Sequence, residues 1–67
     1  MRFDVIAAAD VPGGAPVTVS SHELAPEAAE VAKQEALARG LVVEVWDRDL
    51  KKTIFRARAG EWRWITR

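Results

Sequence analysis

From Thr53 to Ile65 the chain reads Thr-Ile-Phe-Arg-Ala-Arg-Ala-Gly-Glu-Trp-Arg-Trp-Ile, with arginines alternating with apolar residues on both sides of one glycine. A period of two over this length excludes a helix and demands a β-hairpin folded near Gly60. Glycine in the first of two loop positions suits a type II′ turn at Gly60-Glu61. That turn pairs Ala59 with Trp62, Arg58 with Arg63, Ala57 with Trp64 and Arg56 with Ile65. Large residues opposite small ones suit a face packed beneath a helix. Phe55, Ala57, Ala59, Trp62 and Trp64 are therefore expected to point inward as core.

A third strand precedes this hairpin at residues 41–47, with Leu41, Val43 and Val45 inward. Paired residues share a face, so the connection around Arg48 to Lys51 must hold an odd number of residues or be corrected by a bulge. A loop of three or five residues is predicted. The opposite face then carries Val42, Glu44, Trp46, Lys52, Ile54, Arg56, Arg58, Arg63, Ile65 and Arg67. Arg58 opposite Arg63 sets like charges against each other, a local conflict that sequences accept most readily where function requires it.

The first forty residues supply the rest of the fold. Met1, Phe3, Val5 and Ala7 alternate with Arg2, Asp4 and Ile6, the pattern of a half-buried strand. Pro12-Gly13-Gly14 and Pro16 mark a hairpin loop, and Val17 to Ser20 form a second short strand with both valines inward. No Lys-Ser/Thr or opening helix follows the glycine pair, so it is not a phosphate loop. Residues 21–40 are the one helix candidate, with Pro26 at the first helical position, Glu27 and Glu30 near the positive end, and Gly40 in the left-handed position beyond Arg39. Steps of 100° place Leu24, Ala28, Val31, Ala32 and Ala38 on one side and Glu27, Glu30, Lys33 and Gln34 on the other. Glu35 falls at the edge, within reach of Arg39. Leu37 falls on the polar side, where it suits a contact with another subunit. The expected fold is an α+β domain spanning residues 1–67. Its order is β-β-α-β-β-β, a small, mostly antiparallel sheet with one alanine-rich helix packed on one face.

Size and charge bound what such a domain can do. Twelve of the 33 apolar residues are alanine and there is no cysteine, so the core is thin and neither disulfides nor thiolate zinc can staple it. A second copy covering the sheet would relieve that weakness, and a homodimer is the expected state. Residues 1–40 carry three basic against six acidic side chains, and residues 41–67 carry seven against four. That polarity suits head-to-tail association or an anionic partner such as nucleic acid. The N-terminal residues lack the apolar run of a signal peptide and no stretch approaches the ~20 apolar residues of a membrane span. A cytoplasmic protein with no membrane partner is expected.

Chemistry is sparse. His22 is the one histidine, adjacent to Glu23, and no triad or metal-ligand spacing surrounds it. No catalytic residue, metal or cofactor is assigned, and an enzyme built on His22 and Glu23 ranks last. The candidate binding surface is the outer sheet face: Trp46, Ile54, Arg56, Arg58, Arg63, Ile65 and Arg67. It serves either self-association in an interaction module or, as the alternative, nucleic-acid binding, with arginines on phosphates and Trp46 stacking on a base.

Overall fold

The computed structural model describes residues 1–65; Arg67, one of the expected binding residues, lies outside them. Five strands and one helix follow the expected order: β1 Phe3–Ala7, β2 Val17–His22, α1 Ala25–Arg39, β3 Val43–Asp47, β4 Lys52–Arg58 and β5 Glu61–Trp64. The strands form one sheet in the order β2-β1-β3-β4-β5, each antiparallel to its neighbour. Since β2 and β3 both flank β1, they run parallel, and α1 is the crossover that carries the chain from one to the other across β1.

Both ends of α1 obey local rules. Pro26 sits in the first turn, where its missing N–H costs nothing. Gly40 adopts φ 68° and its N–H donates to the Ala36 carbonyl at 2.9 Å, closing the last turn. Glu35 accepts from Arg39 Nε at 2.7 Å. The buried face is Ala28, Ala29, Ala32 and Ala36. Leu24 and Ala38, expected inward, are exposed, because the all-alanine stripe brings the helix axis close to the sheet and turns the flanking positions outward. Leu37 is 64% exposed, on the side expected for it.

Beneath the helix, Phe3, Val5 and Ala7 of β1, Val43 and Val45 of β3, and Phe55 and Ala57 of β4 form the core with the four alanines. The pairs Val5↔Val45↔Phe55 and Ala7↔Val43↔Ala57 run across the three central strands. Leu41 is only half-buried and precedes β3. Two bulges keep these apolar sets in line. In β2 the extra residue is Val19, and in β4 it is Ile54. Both are partly buried and pack against the core. Val17, expected inward, is exposed at the sheet edge.

The β3–β4 loop has four residues, Arg48 to Lys51, rather than three or five. Lys51 takes φ 56°, and the Ile54 bulge supplies the parity correction that an odd loop would have given. The last hairpin turns one residue earlier than expected. Arg58 pairs with Glu61, Ala57 with Trp62, Arg56 with Arg63 and Phe55 with Trp64. Its two loop residues are Ala59 and Gly60, at φ 45° and 91°, so the turn is type I′. The pairing moves by two residues, which preserves faces but changes partners.

This turn makes a sharp prediction. Ala59 is a side-chain-bearing residue forced left-handed, and asparagine tolerates that conformation far better. Ala59→Asn is expected to raise stability by about 0.5 kcal/mol, read as a higher urea midpoint. Gly60→Ala is expected to lower it by about 1 kcal/mol or more through backbone strain. The added methyl itself meets only Leu37 Cδ2, at 3.9 Å.

Candidate interaction surface at the β5 end of the sheet

The helix packs mainly over β1, β3 and β4 and also touches β2, and β5 lies at the less covered side of the sheet. Trp62 and Trp64 lie on the helix-side face, as their register requires, yet they are 50% and 44% exposed. The core role expected of them is corrected accordingly. Each leans on buried Phe55, with ring centroids at 5.8 Å for Trp62 and 4.9 Å, edge to face, for Trp64. The Lys33 ammonium sits 3.9 Å from the Trp62 ring centroid, a cation–π contact from the helix. Beside it, Leu37, Ala57, Gly60, Trp62 and the stem of Lys33 line an apolar depression between helix and hairpin.

The outer face is less basic than the alternation suggested. Arg56 donates to Glu44 at 2.7 Å, and Arg58 faces Glu61 rather than Arg63. The like-charge pair is Arg56 with Arg63, and Glu44 neutralises half of it. Arg56, Arg58, Glu61 and Arg63 border a shallow depression whose remaining wall is Trp62. Arg63 and Ile65 border a second one with Trp64. Arg58, Arg63 and Ile65 therefore belong to the same sheet edge as the exposed tryptophans. Trp46 lies further in, half-buried on β3, and Ile54, expected on the outer face, is instead the bulge residue of β4 that packs against the core. The expected Trp46–arginine cluster is thus divided between the centre of the sheet and its edge.

At the other end of β1 and β3 is an arrangement that periodicity could not reveal. Asp47 is 2% exposed. Its carboxylate accepts from Arg2 Nε and Nη2 at 3.0 and 2.9 Å, and from the backbone N–H groups of Asp49 and Leu50. Asp4 accepts from Arg48 Nε and Nη2, both at 2.8 Å, and from the Ser21 hydroxyl at 2.7 Å. Two bidentate pairs thus join the start of β1 to the end of β3 and the first residue of the loop after it. The Arg2 guanidinium, followed by the Leu50 and Asp49 amides, holds the Asp47 carboxyl below the usual carboxylate range against the opposing effect of burial. Arg48, then Ser21, does the same for Asp4. An aspartate inside the alternating strand β1 was the one sequence signal for this clasp.

His22 is paired with Glu27 rather than Glu23. Its Nδ1 is 2.9 Å from Glu27 Oε1 and its Nε2 is 2.8 Å from Ser20 Oγ. Hydroxyl, imidazole and carboxylate stand in the order used to activate nucleophiles, but the main depressions described lie beside β5 and beside Ile6, away from Ser20. The chain of contacts ties edge strand β2 to the first turn of α1, whose N-cap residue Leu24 offers no side-chain acceptor. Among the described residues, no cluster of three or more His, Asp or Glu side chains could hold a metal ion, and no helix is long and apolar enough to cross a membrane.

No protein-family model matches the chain, and neither a curated protein nor a solved structure is found similar to it.

The clasp predicts an acid transition with a defined sign. Both aspartates titrate lower when folded than when unfolded, so their contribution is complete above the unfolded carboxylate range near about pH 4. It disappears as pH falls through the depressed folded values. Thermal denaturation between pH 7 and pH 2 should show the native chain losing stability steeply below about pH 4. Asp4→Asn with Asp47→Asn should start lower at pH 7 and fall less across the acid range.

Proposed function

We propose that this chain is a small, non-enzymatic protein–protein interaction module that self-associates through the β5 end of its sheet. The observation that carries this reading is the pair Trp62 and Trp64, half-exposed on an edge strand whose outer side has no partner among the described residues, beside exposed Leu37. Unpaired strand edges are templates for another strand, and natural sheets blunt them with charge, proline or bulges. The other edge, β2, is polar and bulged at Val19. β5 alternates its charges, Glu61 and Arg63, with two half-exposed aromatic side chains, and aromatic residues at the centre of an interface supply most of its binding energy. A 67-residue chain with an alanine-rich core also gains stability by covering such a surface. The cytoplasm is the proposed location.

The alternative reading places nucleic acid on Arg58 and Arg63 at the outer side of the same edge. Its support is that neither arginine forms an ion pair among the described residues. The zero net charge and the pairing of Arg56 with Glu44 weigh against it.

Sedimentation equilibrium from about 1 to 500 µM separates the two. The native chain should be dimeric within that range, and Trp62→Ser should raise the dissociation constant at least about thirtyfold, as loss of a central aromatic anchor does. Unchanged far-UV dichroism would show that the fold persists. A strictly monomeric native chain would overturn self-association. A monomer binding oligonucleotide with salt-sensitive affinity, abolished by Arg58→Ala with Arg63→Ala, would put the alternative in its place.

A further inference from the structure

We infer a specific register for this association, an inference that rests on the self-association proposed above. Two copies pair antiparallel along β5 about a two-fold axis through Trp62, so that Glu61 of each faces Arg63 of the other. The argument begins with hydrogen-bond phase. Arg58 and Glu61 flank a two-residue loop and therefore form a hydrogen-bonded pair, and bonding alternates from there. The Ile65 N–H, four residues on, donates to the Ile54 carbonyl at 2.9 Å, in the same phase. Glu61, Arg63 and Ile65 thus spend their backbone groups on β4. The N–H and C=O groups of Trp62 and Trp64 point to the free edge.

A two-fold axis between antiparallel copies sets i opposite j with a constant, even sum, which allows two compact registers for so short a strand. Centring on Trp62 lets the two Trp62 residues exchange both backbone hydrogen bonds. It sets Glu61 opposite Arg63 twice, in the closer, non-hydrogen-bonded positions where opposite charges help most. Neither Glu61 nor Arg63 has an ion-pair partner among the described residues. The same register puts Trp64 of one copy opposite Gly60 of the other, on the helix side. There its indole meets the depression lined by Leu37, Ala57, Gly60 and Trp62. Only a glycine, with no side chain of its own, leaves that position open. Centring on Arg63 instead adds two backbone hydrogen bonds, but it sets arginine against arginine and leaves the depression unfilled. The run Glu61-Trp62-Arg63 is self-complementary about its middle residue, and this selects the first register.

Because the chain has no cysteine, cross-linking reads the register directly. Residues in a close antiparallel pair lie within disulfide reach, whereas those displaced by two residues lie beyond it. Glu61→Cys and Arg63→Cys are prepared separately and oxidised alone and as an equal mixture. The mixture should yield a covalent dimer containing one of each, retaining one Glu61–Arg63 pair, while each variant alone stays uncross-linked. In parallel, sedimentation should show Glu61→Arg and Arg63→Glu each weakening the dimer about tenfold, with the double exchange restoring it. A dimeric native chain whose Arg63→Cys variant cross-links alone, or whose mixture does not cross-link, overturns the register and leaves self-association standing. A monomeric native chain removes both.

Discussion

One helix is too narrow for this sheet. Five strands at about 4.8 Å spacing place the edge strands about 19 Å apart, whereas a helix with its side chains is about 10 Å across. Alanine on the contact face narrows the covered zone further, because short side chains bring the axis close and splay nothing sideways. α1 therefore protects β1, β3 and β4, where every fully buried apolar residue of the sheet is found. β5 has inward-facing side chains that the helix reaches only with the Lys33 side chain. The half-exposed tryptophans follow from this mismatch of widths, and they give the molecule a surface that can be completed from outside.

The remaining stability is assembled across long sequence separations. Arg2 with Asp47 and Arg48 with Asp4 join residues 45 and 44 positions apart and link the two halves of the chain. Each half contributes one arginine and one aspartate to these pairs, so the charge difference between the halves is untouched by them. The clasp closes one end of β1 and β3, with the Arg48 N–H also bonded to the Arg2 carbonyl at 2.9 Å. The arginines at the opposite side of the sheet are answered by Glu44 and faced by Glu61. Charge counted along a chain is thus a poor guide to charge available to a partner.

Face assignment was legible because alternation in a strand is a local property that survives errors of register. The β4–β5 turn is one residue earlier than glycine-first chemistry suggested, since Ala59 tolerates a left-handed conformation once Gly60 follows it. Pairing shifted by two residues, so Trp62 and Trp64 stayed on the helix side while Arg63 exchanged Arg58 for Arg56. The loop after β3 obeyed the same logic: parity had to be corrected, and a bulge at Ile54 did it where a loop of different length would have served equally. His22 found Glu27 rather than its neighbour Glu23 because the chain bends after β2 and brings the first turn of α1 back beside the end of the strand.

Residue order alone determined the order and types of the elements and the alternation of side chains in the regular parts of β1, β3, β4 and β5, because periodicity, helix caps and turn residues act over a few positions; the buried stripe of α1 and the two bulges were set by packing. Burial was decided by the tertiary structure, because it depends on how far a neighbouring element reaches. Trp62 and Trp64 carry identical alternation whether a helix lies over them or not. Only the width of α1 against the width of the sheet makes them surface, and with them the free edge of β5.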